Sequence, residues 1–368
     1  NDVSFTNNAG ATVTYTGTSI TIERNFTFNG GTFDLSGKTI TFDDSNNSDI
    51  STLTCSGTLG GTVVITKNST GAFTLAAGCT IDLGTDPTTP VNGANNSFIN
   101  NGTINVLGTW TMDGGSDSVG FVNNGTIAHS GTGWDLNDMN FTNNAGATVT
   151  YTGTSITIER NFTYGGTFDL TGKTITLDGT ADADDATVTC NATIAGNITI
   201  NKTNATGNTT PNTNCTIQGN FTRTNGPVNA SSGLTTLTVL GNFSAATSDQ
   251  LGQPSSTLSF ASSGIQYASS TGVPWGGPLN VSSTTGELRL SSNFLASSTC
   301  DIVQGTMSLE GRNLTCGSTF TVQDGGILRL QGGETVTAPV FNTTSTLLFV
   351  GDGDGAADTY TITTFATS

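Results

Sequence analysis

The chain has 368 residues, with 10 Lys+Arg against 27 Asp+Glu, a single histidine and only 10% charged residues. A net charge of -17 with scattered basic residues argues against a nucleic-acid-binding surface, which needs clustered positive charge. No apolar run approaches the roughly 18 residues of a membrane-spanning helix, and a single histidine without a Cys-x-x-Cys pair argues against a zinc site or a Ser/His/Asp triad.

The first predicted elements are short strands. The chain starts at Asn1-Asp2-Val3 without a signal peptide, which predicts a mature or excised form. From there, stretches in which apolar residues alternate with Thr or Ser are interrupted by Asn-Gly, Gly-Gly and Asn-Asn pairs. Such alternation is typical of short strands joined by turns. Abundant Thr, Val, Ile and Phe with little charge indicate an ordered all-β chain rather than a disordered one.

A long internal repeat divides the chain. The sequence of residues 5–27 recurs unchanged at residues 141–163. The similarity is lost after this second copy of the repeat. We therefore predict a first β-solenoid repeat unit over 1–136, a second unit over 137–250 and a diverged C-terminal β-rich region over 251–368.

A shorter period lies inside the long unit. The pattern Phe-x-Asn-Asn begins at Phe98, Phe121 and Phe141, which is a recurrence of roughly 20 residues. One coil of a parallel β-helix has this length, and its backbone pairs with the coils above and below. The sequence thus predicts an all-β fold, a parallel β-helix (β-solenoid) of about sixteen coils. Tandem β-sandwich domains are the alternative, although a sandwich needs no such short recurrence.

Several stretches resemble a known group of proteins. The strings NFTFNGGTFDLSGKTITF, FINNGTINVLGTW and STCDIVQGTMSLEGRNLTCGSTFTV are similar to the coils of microbial β-helical adhesins and surface proteins. The resemblance covers nearly the whole chain but depends on low-complexity patterns rather than on a fixed motif. It implies an extracellular, elongated and mostly non-catalytic protein.

The cysteines fall in three sequence pairs, which are Cys55 and Cys79, Cys190 and Cys215, and Cys300 and Cys316. The members of the first two pairs are about one coil apart along the chain, and those of the third pair are closer. Each pair is therefore a disulfide candidate between neighbouring coils. Other connectivities stay open. The alternative is a ladder of buried free thiols.

Glycosylation sequons of the type Asn-x-Ser/Thr are abundant and predict a glycoprotein. The alternative is that Asn and Thr serve only as turn and strand residues, with Asn side chains hydrogen-bonding along the stack. The sequons lie at Asn25, Asn46, Asn68, Asn95, Asn101, Asn124, Asn140, Asn161, Asn191, Asn197, Asn201, Asn204, Asn208, Asn214, Asn220, Asn229, Asn242, Asn280, Asn313 and Asn342.

Two acidic clusters are candidate calcium sites. Asp352, Asp354 and Asp358 stand at positions 1, 3 and 7 of a Gly-rich loop, but the loop lacks the glutamate that completes an EF-type site. The second cluster comprises Asp178, Asp182, Asp184 and Asp185. Solvated surface loops carry the same residues. We expect no cofactor other than calcium at these loops.

The chain ends favour self-assembly. Residues 1–27 match residues 137–163 except at two positions, so they show no distinct cap, and residues 359–365 form an alternating strand pattern without charge. Uncapped edges template further strand pairing. We therefore predict a non-enzymatic structural subunit of an extracellular glycosylated filament or surface adhesin, a homopolymer that assembles head-to-tail. Its other expected partner is a surface or extracellular carbohydrate.

Two alternatives remain at the level of sequence. A carbohydrate-active β-helix enzyme, a polysaccharide lyase or hydrolase, would need converging carboxylates, and no Asp pair at one-coil spacing stands out. Passive sugar binding would use exposed aromatic residues, for which Trp110, Trp134 and Trp275 are candidates, although Trp110 alternates with Met112 as core residues do. We expect His129 to be an exposed loop residue.

Overall fold

The computed structural model describes most of the chain. Over this part there is no helix, and every strand pairing is parallel. The chain forms two compact units, Asn1–Gly179 and Thr180–Ser368. The described residues are 4–44, 51–67, 72–85, 87–90, 97–114, 119–179, 186–203, 209–211, 213–228, 236–246, 256–272, 274–355, 357–359 and 366–367.

The first unit contains the strands β1 (Phe5–Asn7), β2 (Thr12–Val13), β3 (Ser19–Ile22), β4 (Phe26–Phe28), β5 (Thr32–Phe33), β6 (Thr39–Asp44), β7 (Ser51–Cys55), β8 (Gly57–Lys67), β9 (Phe73–Leu75), β10 (Cys79–Thr85), β11 (Thr88–Pro90), β12 (Ser97–Asn100), β13 (Thr103–Leu107), β14 (Trp110–Asp113), β15 (Gly120–Asn123), β16 (Thr126–His129), β17 (Gly133–Asn137), β18 (Asn140–Asn143), β19 (Thr148–Tyr151), β20 (Ser155–Ile158), β21 (Phe162–Tyr164), β22 (Thr167–Phe168) and β23 (Thr174–Gly179).

These strands stack in three main sheets. In the first unit, the first sheet has the order β1-β4-β7-β9-β12-β15-β18-β21, the second β3-β6-β8-β10-β13-β16-β19-β22 and the third β11-β14-β17-β20-β23, while β2 pairs with β5. A coil takes one strand from each sheet. Strands β15, β16 and β17 form one coil, and β18, β19 and β20 form the next, residue upon residue in register.

Stacking in register places like side chains on one another. Phe73, Phe98, Phe121, Phe141 and Phe162 form a continuous ladder in the first sheet, with ring centroids 4.9 to 6.1 Å apart. All five are fully buried. Because alternate residues of a strand point to opposite faces, the same alternation that predicted strands also separates this core from the Thr and Asn residues outside.

Glycine permits the corners between sheets. Strand β8 is long because it passes through a corner, its first residues pairing with β10 and its later residues with β6. Gly61, within β8, has a φ of +93°, a backbone conformation that side-chain-bearing residues rarely adopt. A Cβ atom there would lie 2.5 Å from the carbonyl oxygen of Leu35 in the preceding coil. Gly61 therefore allows both the bend and the close stacking.

The second unit contains the strands β24 (Ala186–Cys190), β25 (Asn197–Lys202), β26 (Thr209–Pro211), β27 (Cys215–Ile217), β28 (Phe221–Asn225), β29 (Thr236–Val239), β30 (Phe243–Ala245), β31 (Thr257–Phe260), β32 (Ile265–Ser270), β33 (Leu279–Leu290), β34 (Phe294–Ala296), β35 (Cys300–Ser308), β36 (Leu314–Cys316), β37 (Phe320–Val322), β38 (Gly326–Leu330), β39 (Pro339–Phe341), β40 (Thr346–Phe349) and β41 (Ala366–Thr367).

The second unit repeats the stacked design. One ladder follows β27-β29-β31-β33-β35-β37-β39-β41, and another follows β25-β28-β30-β32-β33-β35-β38-β40. The long strands β33 and β35 belong to both ladders because each passes through a corner, as β8 does in the first unit. Strands β24 with β26, and β34 with β36, form the remaining face.

The predicted β-solenoid is confirmed, and the sandwich alternative is wrong because sandwiches are antiparallel. The structure has about 13 turns, slightly fewer than the sixteen expected. Loops within several coils lengthen the repeat beyond the shortest spacing, that between Phe121 and Phe141, which lowers the count. The two compact units do not coincide with the predicted regions 1–136, 137–250 and 251–368. Those regions describe sequence copying and stay a prediction.

Candidate functional site

All six cysteines are paired. The disulfides Cys55–Cys79, Cys190–Cys215 and Cys300–Cys316 have Cα atoms 4.7, 5.2 and 5.9 Å apart, and no cysteine is free. The alternative of buried free thiols is therefore wrong. Three disulfides indicate an oxidising environment, as outside the cell.

The disulfides cross corners instead of stacking on one face. Cys55 ends β7 in the first sheet and Cys79 begins β10 in the second sheet, one coil later. Cys300 begins β35, whereas Cys316 ends β36 in the following coil, ahead of the strand that stacks on β35. The third bond thus crosses its corner in the opposite sense. This explains its shorter separation of 16 residues.

An interior asparagine ladder follows the Phe-x-Asn-Asn repeats. Asn100, Asn123 and Asn143 are fully buried. The Nδ2 of Asn100 donates to Asn123 Oδ1 at 2.7 Å, and the Nδ2 of Asn123 donates to Asn143 Oδ1 at 2.8 Å. These two bonds link three successive coils, whereas the Nδ2 of Asn143 has no partner.

Asn7 occupies the same sequence position in the first described coil as Asn143 does in the interior copy. It is also buried, with 1% of its surface exposed. Neither its Oδ1 nor its Nδ2 has a hydrogen-bond partner. A buried amide without partners is destabilising by about 1–3 kcal/mol. Among the described residues, none lies over Asn7 as Asn123 lies over Asn143.

A second asparagine ladder lies on the outside and is formed by sequon residues. The Oδ1 of Asn197 accepts from the backbone N–H of Asn220 at 2.8 Å, and the Oδ1 of Asn220 accepts from the N–H of Asn242 at 2.8 Å. The Oδ1 of Asn242 accepts in turn from the N–H of Tyr267 at 2.9 Å. Asn25 and Asn313 make the same kind of bond to the next coil. These sequon asparagines therefore stabilise coil corners whether or not they carry glycans.

Where the structure describes them, the sequon asparagines are exposed or half-buried, as attachment requires. The exposed ones are Asn25, Asn124, Asn161, Asn191, Asn214, Asn220 and Asn242; the half-buried ones are Asn101, Asn140, Asn197, Asn201, Asn280, Asn313 and Asn342. The others, Asn46, Asn68, Asn95, Asn204, Asn208 and Asn229, lie outside the described residues. Glycosylation stays a prediction.

The tryptophans and the histidine are core residues. Trp110, Trp134 and Trp275 are at most 2% exposed, so they are not the surface aromatics that passive sugar binding needs. His129 is 1% exposed, and the expectation of an exposed loop residue was wrong. Strand β16 is stacked between neighbouring strands, and the His129 ring points from it into the core. There the ring contacts Trp110, Trp134 and Tyr151.

The environment of His129 keeps it neutral. Its Nε2 lies 2.8 Å from the carbonyl oxygen of Gly108. An N–H must donate to that oxygen, so Nδ1 carries no proton, and Nδ1 has no partner. Burial lowers the pKa of His129, against the opposing effect of the Gly108 carbonyl. The side chain is thus a buried, neutral polar group of the core.

One carboxylate pair escaped the sequence reasoning. Asp113 and Asp135 lie on the adjacent strands β14 and β17, where Asp135 stacks on Thr111. Burial raises the pKa of Asp135, and the negative charge of Asp113 raises it further. The two residues are diagonal neighbours on adjacent coils, because Asp113 stacks on Asn137 and Asp135 stacks on Thr111.

In the acidic loop near the C-terminus, a carboxylate accepts a hydrogen bond from the loop's own backbone. The Oδ1 of Asp352 accepts from the N–H of Asp354 at 2.9 Å, and a Cβ added to Gly351 would lie 2.6 Å from Asp358 Oδ2. Among the described residues no group of three His, Cys, Asp or Glu side chains forms a metal site. Calcium binding by this loop stays a prediction. Of the second cluster, Asp182, Asp184 and Asp185 lie outside the described residues.

The second unit carries a surface ion-pair cluster that sequence spacing did not indicate. Arg329 Nη1 lies 2.9 Å from Glu287 Oε1, and Arg289 Nη2 lies 3.1 Å from Glu287 Oε2. Glu310 Oε1 is 3.8 Å from both arginines. The cluster links side chains of three stacked strands, β33, β35 and β38, through opposite charges.

A polar groove of about 710 Å³ runs across the outer face of the second sheet in the first unit. Thr62, Asp82 and Asn105 line it as successive ladder positions, with Thr150 further along and Leu107 at its side. The Oδ1 of Asp82 accepts from Asn105 Nδ2 at 2.7 Å. Hydroxyl, amide and carboxylate groups along a shallow groove are the chemistry that binds carbohydrate hydroxyl groups.

Comparison with known proteins found no relatives. No family model, curated protein or solved structure matches this chain. Within the described residues, the structure contains no helix long and apolar enough to cross a membrane. The function of the protein must therefore be inferred from its geometry.

Proposed function

We propose that this protein is a structural subunit of an extracellular glycosylated filament or surface adhesin that assembles head-to-tail. The observation that carries the proposal is the solenoid stack itself. Parallel strands follow one another coil upon coil in register, so each strand has one edge toward the preceding coil and one toward the following coil. Edges of opposite polarity on two copies pair with each other, and repeated pairing of that kind gives an open filament.

The apolar surface near the last strands supports the same proposal. Leu348, Phe349 and Val350 are 40–43% exposed, although the ladder partner of Phe349 is the buried Leu330. Neighbouring exposed apolar residues of this kind are typical of a surface on which another polypeptide packs.

The extracellular and glycosylated parts of the proposal draw on separate observations. Three disulfides need an oxidising compartment to form and persist. The described sequon asparagines are exposed or half-buried, with surface available for a glycan. Extracellular carbohydrate is the other proposed partner, and the groove along Thr62, Asp82 and Asn105 is the part of the first unit that suits it.

Electron microscopy and sedimentation test the assembly. Native protein, concentrated stepwise, is expected to form fibres in which strands repeat every ~4.8 Å along the axis, with sedimentation rising with concentration. Dispersed monomers at every concentration would contradict the proposed function.

A carbohydrate-active enzyme is the second candidate, and the pair of Asp113 and Asp135 favours it. Asp113 and Asp135 lie on adjacent coils as diagonal neighbours, and two neighbouring carboxylates are the groups that act as acid and base at a glycosidic bond. Purified protein incubated with a panel of polysaccharides would release reducing or unsaturated ends if this candidate holds. Asp135→Asn should then abolish the release, while Asp301→Asn in the second unit should not.

A further inference from the structure

A column of exterior residues on the second unit changes from asparagine to tyrosine. Asn197, Asn220 and Asn242 occupy the same corner in successive coils, and each accepts through Oδ1 from the backbone N–H of the next residue in the column. The residue that follows Asn242 in the column is Tyr267, whose N–H donates to Asn242 Oδ1 at 2.9 Å. A tyrosine therefore stands where the preceding coils place a sequon asparagine.

Tyr267 and Ile265 form an exposed apolar pair on the outer face of strand β32. Their side chains are 45% and 52% exposed, and they lie on one face because they are two residues apart in a strand. The intervening Gln266 is buried and donates to the carbonyl oxygens of Val239 and Gly241 in the preceding coil. Gln266 thus anchors the strand with both apolar neighbours directed outward.

The surroundings of the apolar pair differ between its two sides. In the following coil Glu287 stacks on Ile265 and Arg289 stacks on Tyr267, and these two charged residues pair with each other. In the preceding coil the residue beside Tyr267 is the uncharged and exposed Asn242. The separation between these two positions is one coil, ~4.8 Å.

Asn242 is placed to carry a sugar beside this pair. It opens the sequon Asn242-Phe243-Ser244, and its bond to Tyr267 uses Oδ1, whereas a glycan attaches through Nδ2. Phe243, the middle residue of the sequon, is buried in the core and holds this stretch of backbone in place. A sugar on Nδ2 therefore begins outside the stack, one coil from the tyrosine.

The chemistry of a sugar ring matches that of the exposed pair. A pyranose has a face of C–H groups and a rim of hydroxyl groups. An aromatic ring has a negative face that attracts polarised C–H groups, and the tyrosine hydroxyl is a hydrogen-bonding group for the rim. Covering Tyr267 and Ile265 also removes apolar surface from water. A sugar in this place gains both contacts while its rim stays in water.

We infer that Tyr267 and Ile265 are a platform for the first sugar of a glycan on Asn242, which packs its C–H face on the tyrosine ring. The inference rests on the proposed glycosylation and names one modified residue together with the surface that holds its sugar. It also distinguishes Asn242 from Asn220. The neighbour of Asn220 in the next coil is Asn242, so a sugar on Asn220 meets an amide there instead of an aromatic ring.

Enzymatic release of glycans from the folded protein tests the platform. The full chain is secreted from a eukaryotic host that attaches N-acetylglucosamine to sequons. Peptide-N-glycosidase, which must reach that first sugar, is then added without denaturant, and mass spectrometry follows each site because release converts asparagine to aspartate. Release from Asn242 should be about 3- to 10-fold slower than release from Asn220, because the sugar must first leave a contact of aromatic-pair strength.

The variant Tyr267→Thr removes the ring and keeps a strand-forming residue. It should raise the release rate at Asn242 to that at Asn220 and leave the rate at Asn220 unchanged. A change that only loosened the second unit would speed release at both sites, so Asn220 is the internal control. The two sequons are well matched, because each has a buried phenylalanine in the middle and these rings, Phe221 and Phe243, stack with centroids 5.6 Å apart.

A stability cycle measures the same contact in another way. Ser244→Ala removes the sequon but keeps Asn242 and its Oδ1 bond, and should lower the unfolding midpoint of the secreted chain by about 2–4 °C. In the Tyr267→Thr background the decrease should be smaller. The bond between Ser244 and Ser269 is lost in both backgrounds and cancels. Thr222→Ala, the matched change at the preceding sequon, should give equal shifts in both backgrounds.

The outcomes separate this inference from the proposed function. Glycans on Asn242 that are released as fast as those on Asn220, or whose release does not respond to Tyr267→Thr, overturn the platform and leave the glycosylated filament standing. A secreted chain with glycans on other sequons and none on Asn242 overturns the platform in the same way. Native protein without a glycan on any sequon contradicts the glycosylated part of the proposed function, and the inference fails with it.

Discussion

Asparagine illustrates how one residue type takes different physical roles in this chain. Asn100 and Asn123 are interior, and their amides bond each other along the stack. Asn220 is exterior, and its Oδ1 accepts from the backbone of the next coil. Asn7 is interior without any partner. The side chain is the same in each case, so the neighbouring coil decides whether the amide stabilises the fold or destabilises it.

The two copies of the interior asparagine should respond oppositely to truncation. Asn143→Ala removes the acceptor of Asn123 Nδ2 and is expected to cost about 1–3 kcal/mol of unfolding free energy. Asn7→Ala removes an amide that makes no bond and should leave the stability of the unassembled chain unchanged or slightly higher. Urea unfolding at a concentration below assembly measures both. A loss for Asn7→Ala as large as that for Asn143→Ala would show that Asn7 is already bonded.

His129 should make the stability of the first unit depend on pH. Its pKa is lowered in the fold, while in the unfolded chain it is about 6.5. The unfolded state therefore binds more protons as the pH falls through 6.5, and stability decreases from that pH downward by at most about 1.4 kcal/mol per pH unit. His129→Gln keeps a donor for the Gly108 carbonyl and should flatten the profile between pH 7 and 5.5. An unchanged profile would mean that other groups cause the decrease.

At the scale of the strand, the corners carry much of the specific bonding. The strand faces are filled by repetitive ladders of Phe, Ile, Val and Thr, which many registers would satisfy nearly as well. The disulfides cross corners, and the exterior asparagines also bond there. Glycines such as Gly61 permit the close approach of successive corners. Corners therefore fix the register that the ladders alone leave open.

Removal of a corner disulfide should destabilise its unit. The bond between Cys190 and Cys215 closes a loop of 25 residues, and the chain-entropy estimate for such a loop is about 3 kcal/mol. The double variant Cys190→Ser, Cys215→Ser should lower the unfolding free energy of the second unit by about that amount. Thermal unfolding with and without reductant measures it. Because the double variant has no disulfide at this corner, reductant should not destabilise this corner of the variant any further.

The atom that a sequon asparagine uses for bonding predicts its glycan occupancy. A glycan attaches at Nδ2. Asn140 donates through Nδ2 to the Val119 carbonyl at 3.0 Å, and Asn124 donates through Nδ2 to Asn101 at 2.8 Å, so attachment there would break a bond. Asn220 and Asn242 bond the next coil through Oδ1. Mass spectrometry of native protein should find glycans on Asn220 and Asn242 and none on Asn140 or Asn124; the reverse pattern would contradict the bonding argument.

At the scale of the whole molecule, low charge density and a net charge of -17 act together. Charges of one sign stacked in adjacent coils repel, whereas Asn and Thr can hydrogen-bond along the stack. Burial raises the pKa of Asp135, and the negative charge of Asp113 on the adjacent coil raises it further. The net negative charge makes encounters between separate copies repulsive.

Assembly should therefore accelerate with salt. Each copy carries the same net charge, so encounter between copies is repulsive at low ionic strength. Raising the ionic strength from 0.01 M to 0.15 M shortens the Debye length from about 30 to about 8 Å and should speed assembly measured by light scattering. Replacing sodium chloride by a non-ionic osmolyte is the control and should leave the rate low. A rate that falls with salt would indicate that attractive charge pairs drive the contact.

Much of this architecture could be predicted from the sequence. The spacing of Phe98, Phe121 and Phe141 predicted the coil, and in the structure these residues stack on one another in register. The separations of the cysteines indicated neighbouring coils. The ion pair between Glu287 and Arg329 was not predictable, because these residues lie 42 positions apart. Which residues meet over such a separation depends on the loop lengths and corners of the coils between them. The inward direction of the His129 side chain was also not predictable, because the preceding corner decides which residues of a strand face the core.

Residues 5–27 and 141–163 show most clearly where sequence reasoning ends. Their shared sequence determined the same strands and the same alternation in both places. Only the tertiary structure decided that Phe141 is buried and Asn143 bonded, while Phe5 is half-exposed and Asn7 has no partner. The physical reason is that burial and hydrogen bonding in a stack belong to pairs of coils, and a coil's own residues specify only half of each pair.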